Sequence, residues 1–248
     1  MTPILLLEIS FIQEIKNSPF SCGFRVRWHE KECILNVYHS TEPSPADPPY
    51  REINLFKCES TAFMRLQERG LCNRGYVPEF YGLIEHIKPA DHLPYLKDFL
   101  GDNPNAILLE YVPDIRPISL AKFSRERSYK LRSILSEIHD AGIIHGDTYP
   151  RNIMVQESSD RVLWVDFDRA QTFTPQSMNQ RHKNWLEEEA DMMDYFVKAL
   201  TLDAKNGRIY YTWLCYYEYV SSIAVLQASG NPPPSDQGGP ACQEEVFE

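Results

Sequence analysis

The residues best equipped for chemistry lie between Ile138 and Ala170, in IHDAGIIHGDTYPRNIMVQESSDRVLWVDFDRA. His145-Gly146-Asp147 is followed by Asn152, and Asp166-Phe167-Asp168 closes an apolar run. What lies between reads as a β-hairpin: residues 153–155 form one strand, 157–160 the turn and 162–165 the other strand. A hairpin lays its two ends side by side, so Asp147, Asn152 and Asp166 are expected at one edge. Oxygen-bearing side chains converging at strand ends suit a hard cation or a proton transfer.

This stretch resembles the catalytic loop and metal-binding motif of the protein-kinase-like superfamily. Eukaryotic protein kinases and aminoglycoside/choline-type small-molecule kinases both belong to it. The superfamily pattern is H-x-D-x-x-x-x-N, a hairpin, then D-F-G; here it reads HGDTYPRN and DFD. His-Gly-Asp is the small-molecule-kinase form. The resemblance implies an α+β, bilobal protein-kinase-like fold, with a small antiparallel β lobe and a mostly helical C-lobe. It further implies that Asp147 positions and deprotonates the accepting hydroxyl, and that Asn152 and Asp166 hold Mg²⁺ on the phosphates of ATP. His145 would pack under Phe167 in a structural role.

The elements that must position these residues follow along the chain. Its 248 residues allow one large domain or two small lobes. Residues 4–12 and 24–38 are rich in β-formers, with a turn at Glu30-Lys31. The Pro-rich stretch 39–50 and the stretch 88–105, with a short helix at 95–100, read as loop insertions. Helical spacing over 52–70 carries Glu59 to the place of the helix αC glutamate. Residues 78–84 and 106–112 read as strands; the second resembles the last small-lobe strand plus the hinge, where the backbone of Glu110 and Val112 would meet adenine. A helix over 119–141, stopped by Gly142, feeds the HGD loop. Residues 171–183 read as loop, a helix opens at 187, and Asp191 takes the place of the αF aspartate that braces the catalytic loop. A final helix is expected over about 207–227. The domains expected are an N-lobe over 1–111, a helical C-lobe over 112–228 and a disordered tail over 229–248.

A formal net charge of −10 argues against a broad nucleic-acid-binding face. The six cysteines include no C-x-x-C pair, which suits reduced thiols in a cytoplasmic protein. MTPILLLEISF lacks the basic start of a signal peptide, and no apolar run approaches the ~20 residues that span a membrane.

The departures from the superfamily pattern matter as much. Where V-A-I-K is expected the chain reads Cys33-Ile34-Leu35-Asn36, so Asn36 stands in place of the phosphate-clamping lysine. The Gly-rich loop is reduced to Gly23. Arg151 and Arg169 flank the motifs as substitutes, and Asp168 adds a carboxylate where D-F-G has glycine. An acidic pocket results, attractive to Mg²⁺ or an organic cation. Three readings follow. The first is a phosphotransferase acting on a small cationic metabolite with Mg-ATP. The second is a pseudokinase scaffold. The third rests on a looser resemblance to fungal arginine-containing cyclodipeptide synthases of secondary metabolism, which would use charged tRNA.

Overall fold

The structure, a computed structural model, describes residues 4–213, 215 and 216. Three strands open the chain: β1 (Ile9–Asn17), β2 (Ser21–Trp28) and β3 (Lys31–Tyr38). The turn joining β2 to β3 is His29-Glu30, both at positive φ, one residue before the expected Glu-Lys turn. Helix α1 (Leu55–Glu68) follows, capped by Asn54, whose side chain accepts from the Lys57 amide. Strands β4 (Phe80–Ile84) and β5 (Asn105–Glu110) complete an antiparallel sheet in the order β1-β2-β3-β5-β4.

This sheet is covered on both faces. Alternation along β3 sends Cys33, Leu35 and Val37 to one side and Ile34, Asn36 and Tyr38 to the other. The first set packs with Phe24, Val26, Leu96, Phe99 and Leu108. Leu96 and Phe99 belong to the stretch expected as a loop insertion. That stretch is a packed outer layer with short 3-10 turns at Pro89–His92 and Lys97–Phe99. Its two buried apolar side chains, each worth about 1.5–3 kcal/mol of transfer free energy, are what a loop reading overlooked. The opposite face packs on α1 through Phe63 and Leu66.

The second lobe begins with β6 (Ile115–Pro117) and helix α2 (Arg125–Asp140). Leu131, Ile134, Leu135 and Ile138 form the buried stripe of α2. Then come β7 (Ile143–Ile144), β8 (Ile153–Gln156), β9 (Val162–Trp164) and β10 (Gln171–Thr172). The hairpin has the expected register, with Ile153 opposite Trp164 and Val155 opposite Val162. Helix α3 (Gln180–Asn206) starts earlier than the acidic run suggested. Asn179 and His182 form a reciprocal capping box there, a signal hidden because His replaces the usual Glu or Gln at the third position. The architecture is the α+β bilobal kinase-like fold. Most of the helix expected over 207–227, and the whole of the tail expected over 229–248, lie outside the described residues.

One core runs through both lobes. Ring centroids of Phe80 and Phe63 lie 5.8 Å apart, Phe63 and Phe167 5.4 Å, and Phe167 and His145 4.6 Å. This column joins the sheet, α1 and both polar motifs.

Candidate active site

The catalytic loop is held from beneath. Glu189 on α3 is buried, and its carboxylate accepts from the backbone amides of His145 (3.0 Å) and Gly146 (2.5 Å). His139 on α2 approaches the same carboxylate at 2.9 Å. Glu189 therefore does the bracing expected of Asp191, which lies exposed. Asp191 is two positions on, and two residues turn a helical side chain about 200°, to the opposite face. His145 is fully buried, with Nε2 3.1 Å from the Val165 carbonyl and its pKa lowered by burial. It is a packed, structural histidine.

Gly146 explains why the motif reads His-Gly-Asp. Its φ is +78°, and an added Cβ would sit 2.4 Å from the Arg169 carbonyl oxygen. The two polar motifs pass so close at this point that only glycine fits.

Asp147 and Asn152 are in direct contact. Asn152 Nδ2 donates to the Asp147 backbone carbonyl and to Oδ2, both at 2.9 Å. Arg151 Nη2 donates to Asp147 Oδ1 at 2.5 Å, so this arginine orients the loop carboxylate. The Val165 amide donates to the Asn152 carbonyl at 3.1 Å, which fixes Asp166 beside the loop. Asp166 itself has φ +66°, an uncommon conformation for a non-glycine residue and one that clusters at functional sites.

Asp166 and Asp168 face a cleft of about 670 Å³ between the lobes. Ile15, Ile34, Leu109, Met154 and Val165 line its apolar part, and Glu110, Tyr111 and Val112 form its back. The Glu110 side chain points to Arg161, with Nη1–Oε1 at 2.8 Å and Nη2–Oε2 at 3.0 Å. Asp147 opens instead into an adjoining cavity of about 200 Å³, lined also by Arg51, Tyr149, Arg169, Trp185 and Glu188. Arg169 is exposed at this mouth.

The roof of the cleft differs from expectation. Asn36 stands on β3 facing α1, and its Nδ2 lies 3.4 Å from Glu59 Oε2. The Tyr38 hydroxyl also donates to Glu59 Oε2. Glu59 is 1% exposed and its Oε1 has no partner. Burial, then the charges of Asp166 and Asp168, push its pKa well above the usual carboxylate range. Burial and Asp166 raise Asp168 to about 6.

Lys16, absent from the expected set, reaches this group of acids. Its Nζ lies 3.3 Å from Asp166 Oδ2. Burial pulls its pKa down, but the fields of Asp166, Asp168 and Glu59 outweigh that and raise it. The carboxylates expected to be uncompensated thus have a cation among them. β1 was read only as far as residue 12, and irregularities in its pairing after Phe11 and after Glu14 break the alternation that would have revealed the inward face.

Mg²⁺ fits the donor set. It is commonly held by one or two protein oxygens plus substrate phosphates. With Asn152 Nδ2 committed to Asp147, Oδ1 is the atom left that, with the Asp166 carboxylate, would hold a cation.

A family model described as the lipopolysaccharide kinase (Kdo/WaaP) family matches residues 122–192, the span carrying α2, both motifs and Glu189. The chain is similar to the mitogen-activated protein kinase mpkC of Emericella nidulans, 27% identical over 143 residues, covering 58% of this chain and 29% of that protein. With mpkC of Aspergillus niger it is 33% identical over 90 residues, 36% of this chain and 21% of that protein. With mpkC of Aspergillus fumigatus it is 29% identical over 143 residues, 58% of this chain and 32% of that protein. The chain therefore spans about a third or less of the length of these curated relatives. Among the described residues, no helix is long and apolar enough to cross a membrane.

Proposed function

We propose that this chain, which belongs to the protein-kinase-like superfamily, is a phosphotransferase that moves the γ-phosphoryl group of Mg-ATP to a hydroxyl of a small metabolite. One observation carries the reading: Asp147, braced by Arg151 and Asn152, stands on a loop tied through the Val165 amide to the strand end that turns Asp166 into the interlobe cleft. Family-model similarity over the same residues supports phosphoryl transfer at the level of reaction class.

The roles follow from the geometry. The apolar slot of Ile15, Ile34, Leu109 and Met154 takes a planar base, and the backbone of Glu110 and Val112 borders its edge. Asn152 and Asp166 would hold the magnesium ion, which supplies charge neutralisation at the phosphates. In the adjoining cavity the acceptor hydroxyl meets Asp147. A carboxylate oxygen of Asp147 takes the proton as the acceptor oxygen bonds to the γ-phosphorus. The bond from that phosphorus to the bridging oxygen breaks, and its electron pair leaves with ADP. Arg151 and Asn152 keep the Asp147 carboxylate aimed during this transfer. Glu188 and Trp185 line the acceptor cavity together with Arg51 and Arg169, so it offers charges of both signs and an indole face to the acceptor.

The scaffold reading rested on the missing β3 lysine and Gly-rich loop and the cyclodipeptide-synthase reading on a pocket without the phosphate lysine; a lysine that reaches Asp166 from β1 favours the phosphotransferase over both. The test is ADP release with Mg-ATP and a panel of hydroxylated metabolites, with mass spectrometry of the products. Turnover that disappears in Asp147→Asn is expected. Absence of both ATP turnover and any nucleotide-induced thermal shift would sink the reading.

A further inference from the structure

The expected site brings neither of its candidate cations into the lining of the main cleft: Arg151 is paired with Asp147 and Arg169 lines neighbouring cavities, while Asn36 is committed to Glu59. Backbone amides of a glycine-rich turn are the other usual source. The turn joining β1 and β2 cannot supply them as it stands. Ser18 Oγ accepts from the amides of Phe20 (3.3 Å) and Ser21 (3.1 Å), and the Ser18 amide donates to the Ser21 carbonyl (3.0 Å). The turn closes on its own hydroxyl and spends those donors internally.

Among the described residues, two cationic side chains line the cleft, Arg116 on β6 and Lys16 on the roof, and Lys16 is the one that reaches Asp166. Lys16 pairs with Gly23 across β1 and β2, and Gly23 with Asn36 across β2 and β3, so the three lie in one row over Asp166. Gly23 keeps that row open: an added Cβ would lie 3.2 Å from Asn36 Oδ1 and 3.5 Å from Lys16 Cβ. The lysine stem passes where another side chain would stand. Lys16 lines the main cleft together with Asp166 and Asp168.

We propose that Lys16, on the first strand, is the triphosphate-binding residue of this protein, doing from β1 what a lysine at position 36 would do from β3. The inference rests on the phosphotransferase reading above. Without nucleotide, Lys16 neutralises Asp166. With Mg-ATP bound, Asp166 would hold the metal and the Lys16 ammonium would be free to turn to the phosphate oxygens. Glu59 needs no lysine in this arrangement, because Tyr38 and Asn36 hold it with neutral donors.

The experiment is titration calorimetry of the full chain with Mg-ATP and with adenosine, for the wild type, Lys16→Met and Lys16→Arg. Adenosine is the internal control for an intact base pocket. Wild type should prefer ATP. Lys16→Met should weaken ATP by about 10- to 100-fold, the worth of a hydrogen bond to a charged group, and leave adenosine unchanged. Lys16→Arg should keep most of the preference. If Lys16→Met retains the wild-type ratio of ATP to adenosine affinity, the assignment is overturned. If the wild type binds neither ligand, the phosphotransferase reading itself has failed, and Lys16 falls with it.

Discussion

On the floor of the cleft, Asp147, Asn152 and Arg151 come from one short loop, and the amides beneath them are gripped by a single buried carboxylate, Glu189. On the roof, Lys16, Asn36, Tyr38 and Glu59 come from β1, β3 and α1, and Glu59 keeps an oxygen with no partner. The floor is a hydrogen-bond network that includes the fold's own backbone and leaves His145 Nδ1 without a partner. The roof joins side chains of separate elements, with Glu59 held by Tyr38 and Asn36 and Lys16 paired with Asp166 across the cleft. A network built into one loop and its backbone rigidifies that loop, whereas the roof residues can be changed one at a time. Floor substitutions should therefore damage turnover and stability, and roof substitutions nucleotide affinity.

The largest expected effect is on the floor. Asp147→Asn should lower kcat by about 10³-fold, within the range of a lost general base, while calorimetric ATP affinity stays near wild type. A comparable loss of ATP binding would break the division between floor and roof. Glu189→Ala comes next. The amides of His145, which is buried, and Gly146, together with His139, would lose their acceptor, so denaturant unfolding should show a loss of about 2–4 kcal/mol. Its kcat should fall as well. Lys16→Met should sharpen the contrast from the other side: its stability should stay within about 0.5 kcal/mol of wild type, because the Lys16 side chain is half-exposed.

The smallest effect concerns pH. The folded-state pKa of Glu59 lies above its unfolded value, since burial and the nearby Asp166 and Asp168 disfavour its charge. Above the ordinary carboxylate range the unfolded chain has lost this proton while the folded chain keeps it. The stabilising contribution is complete at low pH and declines as pH rises toward the folded pKa. Glu59→Gln should remove that decline. Melting temperatures measured from pH 5 to 8 should separate upward in favour of the variant. Parallel curves would mean that Glu59 is not held neutral.

The floor was legible in the sequence because its parts are local. HGDTYPRN and DFD are joined by a hairpin whose turn and alternation can be read directly, and the bilobal fold follows from them. Glu189 was missed by two positions because an acidic run offers several carboxylates and only the helix phase picks one. The roof was half legible. Asn36 and Glu59 lie in regular elements, and both stand in the expected row. Lys16 lies on a strand with two irregularities, where period-2 reasoning loses its parity. The outer layer around Leu96 and Phe99 was hidden by the Pro, Asp and Asn residues that surround it.

Arg161 has a consequence for kinetics. Its guanidinium bonds to the Glu110 carboxylate and to the carbonyls of Gly75 (2.8 Å) and Val77 (3.1 Å), so one side chain of the lower lobe holds three points of the upper. Opening the lobes at the back would strip a charge of several partners at once, which is slow. Exchange of ligand then proceeds through the front of the cleft, at the turn after β1, leaving the back closed. Residence time of a bound nucleotide would accordingly be set by local movement near Lys16. A substitution at Arg161 would shorten that residence time from the far side of the cleft, by loosening Glu110 and the lobes behind it.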